Sequence, residues 1–333
     1  MIDGKSLGRL GGVVLWLAAA ATAGAAAVPV TLSETLGDGQ SYMRVRLLGA
    51  LRLGADAGLV PGALSGLAWD EDAGLLYAVA DTDTLLHLRP VFRDERLVDA
   101  HLVAAYPLRG SRGQRLRQPF ADAEGLAIAN ADNGVGGDSR LLVSFEIRPR
   151  LAWYTPAGRW LKDEPLPGLL RDARRFNDVN SALESVVLHP RWGLLTAPEL
   201  PLQGAAERAV PIVSGGNERW LYPLYSAPGS ALVDMEVLPD ESLLTLERAF
   251  VSVLRPLVIS LRRVRLGQPG TRLAVEEVAV FDTSRGWLLD NFEGLARHRG
   301  WRFFMISDDN HSPLQSTLLV YFEVLDAPPA PAR

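Results

Sequence analysis

The sequence contains no cysteine. Disulfides, thiol nucleophiles, cysteine zinc sites and iron–sulfur clusters are therefore excluded. A chain of 333 residues has enough interior to fold without such staples. Histidine is also scarce, at five. The Gly-x-Ser-x-Gly elbow of serine esterases, the Walker loop, a Gly-x-Gly-x-x-Gly turn after a strand and the His-Glu-x-x-His zinc motif are all missing. Asp81-Thr82-Asp83 lacks the remainder of an EF-hand loop. The formal net charge of −5 argues against nucleic acid as a partner.

Long apolar runs are missing beyond the first 27 residues. There, Lys5 and Arg9 precede an apolar run from Leu10 to Ala21, and small residues follow to Ala25-Ala26-Ala27. This is the order of a secretory signal peptide, and it predicts a mature chain in the periplasm or outside the cell with no membrane span. Residues 28–325 read as one domain, and 326–333, rich in Pro and Ala, as a disordered tail.

Turn formers are plentiful, with 31 Gly and 22 Pro, which suits many short strands. One pattern recurs five times: Ser65-Gly66-Leu67-Ala68-Trp69, Glu124-Gly125-Leu126-Ala127-Ile128, Glu184-Ser185-Val186-Val187-Leu188, Asp234-Met235-Glu236-Val237-Leu238 and Glu293-Gly294-Leu295-Ala296-Arg297. The copies start 59, 60, 50 and 59 residues apart. Each leads into a turn-rich stretch and then an apolar strand such as Leu75–Val79 or Leu141–Phe145. A second polar residue closes each hairpin: Asp81, Glu146, Glu199, Glu247 and Asp308. In an antiparallel hairpin the start of one strand lies beside the end of the next, so the two polar positions share one end.

A repeat of this length predicts an all-β propeller of five blades, with a sixth, degenerate blade as the alternative. Outer strands are expected at 85–92 with 97–106, 151–154 with 160–166, 212–213 with 220–225, and 257–266 with 272–281. The last repeat has one further strand, Thr317–Val324, and Met43–Leu53 has no partner of its own. Pairing these two closes the ring and removes its edges. The competing fold is a β-sandwich, which has no reason to repeat an acidic hairpin entry.

The phrases Asp122-Ala123-Glu124-Gly125-Leu126-Ala127, Asn291-Phe292-Glu293-Gly294-Leu295-Ala296 and Ser307-Asp308-Asp309-Asn310, with Pro313–Leu318, carry a resemblance. Together they resemble the phytase-like, "esterase-like activity of phytase" family of exported bacterial proteins over residues 40–325. The resemblance implies hydrolysis of a phosphoester or related ester through repeated Glu and Asp residues. Ser65 departs from the pattern, as do Glu184-Ser185 and Asp234-Met235.

Carboxylates gathered at one end repel one another, and raised pKa values, basic partners or a bound cation relieve this. Oxygen ligands without cysteine suit Ca²⁺. The expected ligands are Glu124, Glu184, Asp234 and Glu293 with Asn291. Asp81, Glu146, Glu199 and Glu247 form a second acidic layer. Glu124, Glu293, Asp308 and Asp309 are the expected catalytic carboxylates. Arg148, Arg248 and Asn310 are placed to bind a small-molecule ester or phosphoester. Arg109, Arg112, Arg115 and Arg117 form a candidate rim, and His311 is a weaker acid–base candidate. These features predict a monomeric metal-assisted hydrolase; the alternative is a non-catalytic binding propeller whose cation is structural.

Overall fold

The computed structural model describes residues 27–54, 63–178 and 181–326. The candidate signal peptide, apart from Ala27, and the candidate tail after Asp326 lie outside the described residues. The strands form five antiparallel sheets. Blade one is β4 (Leu64–Asp70), β5 (Leu75–Ala80), β6 (Thr84–Arg93) and β7 (Arg96–Pro107). Blade two is β8 (Ala123–Ala129), β9 (Arg140–Phe145), β10 (Arg150–Tyr154) and β11 (Trp160–Glu164). Blade three is β12 (Leu183–His189), β13 (Gly193–Pro198), β14 (Ala209–Ser214) and β15 (Arg219–Pro223). Blade four is β16 (Ser230–Val237), β17 (Leu243–Ala249), β18 (Val258–Val264) and β19 (Val275–Asp282).

The fifth blade closes the ring with both ends of the domain. It comprises β20 (Asn291–Arg297), β21 (Arg302–Asp308) and β22 (Thr317–Val324), and its fourth strand is β3 (Val45–Leu53). Thr317 faces Leu53 and Val324 faces Val45, as the unpartnered sequence segments predict. Two short strands, β1 (Val28–Pro29) and β2 (Ser41–Tyr42), pair with β3 and cover the outer edge. Five blades are present, without a sixth among the described residues. Innermost strands β4, β8, β12, β16 and β20 neighbour one another in that order around the axis.

The core lies between blades rather than along the axis. Leu246, Phe281, Phe292 and Phe303 fill the space between blades four and five, and Leu67, Leu76, Phe304 and Tyr321 that between five and one. The space between blades two and three holds far less, with Ala127, Leu142, Leu151 and Val186. Apolar residues on both faces of a blade are what packing against two neighbours requires.

Every innermost strand carries one extra residue against its partner. The registers slip between Leu64 and Gly66, Ala123 and Leu126, Leu183 and Ser185, Leu232 and Asp234, and Phe292 and Gly294. These are β-bulges, which re-aim one side chain and bend the strand. Directly after the bulged residue the strand meets its neighbour. A Cβ on Gly125 would lie 2.4 Å from the carbonyl oxygen of Glu184 and 2.7 Å from Ser144 Oγ. Gly66 approaches Glu124 O and Gly294 approaches Ser65 O in the same way. Glycine at these points is therefore set by inter-blade distance. Replacing it overpacks the junction, and Gly125→Ala is expected to cost about 1–3 kcal/mol in urea unfolding. Gly136→Ala, in an exposed turn with open space around its Cα, leaves stability unchanged.

Candidate functional site

The bulges define one frame for all five blades. The residue two before each bulged residue pairs with the end of the second strand. Glu146 N donates to Asp122 O (3.0 Å), Asp81 N to Ala63 O (3.1 Å) and Glu199 N to Ala182 O (3.2 Å). Ala231 faces Arg248 and Asn291 faces Asp308. In this frame the entry positions are Ser65, Glu124, Glu184, Val233 and Glu293. The exit positions are Asp81, Glu146, Glu199, Arg248 and Asp308.

Blade four thus differs from the sequence-based expectation by one residue at both positions. Asp234, expected as a metal ligand, occupies the glycine position of the other blades. There its Oδ2 accepts the amide of Leu295 on blade five (2.7 Å) and its Oδ1 that of Met235 (2.8 Å). Glu247, expected in the second acidic layer, points the opposite way. It is fully buried between blades three and four, where it accepts from Arg262 Nη1 (2.7 Å), Tyr225 N (2.6 Å), Ser230 Oγ (3.2 Å) and the Tyr222 hydroxyl. Adjacent strand residues face opposite sides, so a one-residue offset exchanges ring for core. The frame was present in the sequence. Apolar residues flank the entry at one before and two after: Leu64 and Leu67, Ala123 and Leu126, Leu183 and Val186, Phe292 and Leu295. Only Val233, between Leu232 and Met235, fits it in blade four.

Arg248 therefore stands within the ring as a cation among carboxylates. Its Nη2 donates to Glu199 Oε1 (2.8 Å) and its Nη1 to Asn291 Oδ1 (2.7 Å), with Glu293 Oε1 at 3.3 Å. Asn291 Nδ2 in turn donates to Glu293 Oε1 (2.8 Å). Among the described residues this one guanidinium serves a group of eight carboxylates: Asp81, Asp122, Glu124, Glu146, Glu184, Glu199, Glu293 and Asp308. The half of the ring away from Arg248 is the most crowded. Ligand oxygens of Asp122, Glu124 and Glu146 lie within 4.8 Å of one another, and so do those of Glu146, Glu184 and Glu199. Glu146 belongs to both sets. It accepts the amide of Ala182 (3.2 Å) and lies beside the carboxyl group of Glu184. Ser65 has no charge to add and donates to Glu124.

Burial is the leading cause of the titration behaviour here. It drives Glu124 and Glu184 well above the usual carboxylate range, with neighbouring carboxylates adding to the effect. Glu146 and Glu293 are pushed up to about 8, although Arg248 pulls Glu293 back. Asp81 rises to about 6 through burial and the Asp308 charge. Glu199 and Asp308 are raised in the same direction. Burial lowers the Arg248 pKa, but Glu293, Glu199 and Glu184 outweigh it and raise the group's pKa overall.

The other expected site residues fall around this ring. Asp309 is committed to its loop: its oxygens accept from Ala63 N (3.3 Å), His311 N (3.0 Å) and Thr317 Oγ1 (3.0 Å). Asn310 is exposed, with φ 49°, and donates its amide to Asp308 (2.6 Å). His311 is exposed beside Asp81 and Asp308. Arg148 is exposed over the Phe120 ring. Of the candidate rim, Arg115 is held by buried Asp83 (2.7 and 2.9 Å) and Arg109 donates to Gly113 O (3.0 Å).

Two outcomes follow from this electrostatics. Carboxyl pKa values raised by folding mean that the native state holds more protons than the unfolded chain. Stability from this source is complete below about pH 4.5 and is lost as pH climbs through about 8. In chelator, the melting temperature is therefore expected to fall between pH 5 and pH 9, read by circular dichroism. Arg248→Met strips Glu199 and Glu293 of their partner. The expected loss is about 3 kcal/mol in chemical unfolding, the low end for such a pair because the arginine side chain is 23% exposed.

Among solved structures, the PQQ-bound aldose sugar dehydrogenase of Streptomyces coelicolor is similar at 10% identity. That match covers 84% of this chain and 98% of the other, with a TM-score of 0.41. A gluconolactonase of Xanthomonas campestris is similar at 14% identity, covering 84% and 80%, also with a TM-score of 0.41. No curated protein matches the chain significantly. The family model described as "Phytase-like: Esterase-like activity of phytase" matches residues 61–311, a span that includes every entry and exit position of the ring. The chain belongs to this phytase-like family.

Proposed function

We propose that the chain is an ester hydrolase, acting on a phosphoester or another ester at the carboxylate end of its axis with the help of a divalent cation, calcium by the chemistry of the donors. The observation that carries this reading is the pair of overlapping buried carboxylate triads that share Glu146. The donor set is all oxygen, and burial together with crowding holds protons on Glu124, Glu146 and Glu184 that a cation would displace, which fits a hard divalent ion. Asp122, Glu124, Glu146 and Glu184 would hold it. When bound, such an ion supplies Lewis-acid polarisation of an ester oxygen and a more acidic water.

The protein's own residues supply the rest. Glu293 titrates near neutrality, so it can take a proton from an attacking water and return it to a leaving oxygen. Arg248 and Asn291 fix the direction of that carboxyl group. Burial raises the Glu293 pKa, and Asp308, on the same side of the ring, adds to the effect. Export through the N-terminal segment and a monomeric state are part of the same proposal. Deep burial of Glu124 and Glu184 supports a second reading, a non-catalytic binding propeller with a structural ion.

Phosphate release from a phosphomonoester panel and chromophore release from short-chain aryl esters, each with and without Ca²⁺, separate the two. Ca²⁺-dependent turnover is expected, with Glu293→Gln lowering kcat by about 10²–10⁴-fold. Ca²⁺ should also raise the melting temperature more at pH 9 than at pH 5, because binding must displace protons at low pH. Turnover unchanged in Glu293→Gln and Glu146→Gln would refute the site. Calcium binding without turnover would leave the second reading.

A further inference from the structure

The loops beside the ring differ between its two sides in a way that folding does not explain. In a propeller the loop from the second to the third strand of each blade lies at the same end as the start of the innermost strand, here the carboxylate end. In blade four this loop, residues 250–257, makes a turn in which Arg255 N donates to Ser252 O (3.0 Å). Its two central residues are Val253 and Leu254, which are 90% and 91% exposed. The corresponding loop of blade five makes a similar turn, with Gln315 N donating to Ser312 O (3.1 Å). Its central residues are Pro313 and Leu314, and Leu314 is 93% exposed. Between these loops runs the connection from blade four to blade five, where Leu288 is half exposed.

Turn centres ordinarily carry Gly, Asn, Asp, Ser or Pro, because those residues suit the backbone and the solvent. Val253, Leu254 and Leu314 bring neither benefit. The same loop in blade one is Asp81-Thr82-Asp83, and in blade three the turn closed by Ala205 N on Leu202 O has Gln203 and Gly204 at its centre. Among the described residues, apolar turn centres as exposed as these occur only in the blade four and five sector of the mouth; Phe120, in the connection from blade one to blade two, is half exposed. Their roots are firm: Phe250 N bonds Gly229 O, Thr283 N bonds Leu257 O, and Ser316 N bonds Asp290.

We propose that these two turns insert into a lipid surface and dock the carboxylate mouth against it. Side chains that stand almost wholly clear of the protein offer little contiguous area. A stable protein interface needs about 800 Å² per partner with matched shape, which separate projecting tips do not supply. A fluid acyl layer accepts such tips without matching, as shallow interfacial anchors do. Net charge sets the lipid: a chain with a formal net charge of −5 is repelled by anionic headgroups and tolerated by zwitterionic ones. Docking would present the mouth to esters carried in that layer. That consequence rests on the hydrolase reading; the binding itself does not.

The test is vesicle flotation of the mature protein with phosphatidylcholine vesicles, and with vesicles containing 40% phosphatidylglycerol. The variants are Val253→Ser/Leu254→Ser and Leu314→Ser, whose exposure leaves the melting temperature unchanged. Binding of the wild type to phosphatidylcholine, weaker binding to the anionic vesicles, and at least tenfold weaker binding of the combined variant are expected. Turnover of a soluble short-chain ester, measured in parallel, should be the same in wild type and variant. Failure of the wild type to float, or equal binding by the variant, would overturn the proposal whatever the turnover result. So would a dimer in light scattering that the variant abolishes, since the turns would then cover one another. Absence of turnover alongside lost flotation in the variant refutes the hydrolase and leaves the docking intact.

Discussion

Mutual repulsion among carboxylates is the constraint around which this molecule is arranged. A five-bladed ring brings the start of every innermost strand and the end of every second strand to one end of a single axis. Any acidic residue repeated at those positions must crowd there. The observed solution divides the ring unevenly. On one side Arg248 pairs with both Glu199 and Glu293 and is oriented by Asn291. On the other side Glu124, Glu146 and Glu184 are pushed toward their protonated forms, chiefly by burial and further by one another's charge. The polarity of the site comes from this division, with one half already balanced and the other suited to a cation.

Blade four makes the division possible. Its entry position is Val233, so the ring loses an acid where Arg248 needs room. Acidic residues remain abundant in that blade but have turned to structural work. Asp234 and Glu236, two apart on β16, accept the amides of Leu295 and Arg297 on the next blade. Innermost strands leave one backbone edge unpaired toward the axis, and these side chains satisfy part of it. Glu247 meanwhile anchors Arg262 and the tyrosines between blades three and four. The same residue type serves binding chemistry, edge capping or core pairing according to the direction its strand position gives it.

Most of the fold and much of the site were legible in the chain. The 59–60-residue recurrence gave the blades, and the unpartnered segments at 43–53 and 317–324 gave the closure. Glu124, Glu184 and Glu293, with Asp81, Glu146, Glu199 and Asp308, were recognisable because each repeats at a fixed place in a hairpin. Reading by acidity failed in blade four, where the apolar frame around Val233 was the better guide. Asp122 was passed over because only its neighbour Glu124 matched the repeat.

What the sequence determined by itself is therefore periodic: hairpins of apolar strands, turns between them, and an acid at each inner end. Those properties follow from residue type and spacing, which strand pairing translates directly into neighbours along a sheet. What only the tertiary structure decided is direction. A bulge one residue earlier or later sends a carboxylate to the axis, to the next blade or into the core, and local propensity does not distinguish these. The closeness of side chains from different blades, hence their raised pKa values and the reach of Arg248, exists only once the ring has closed.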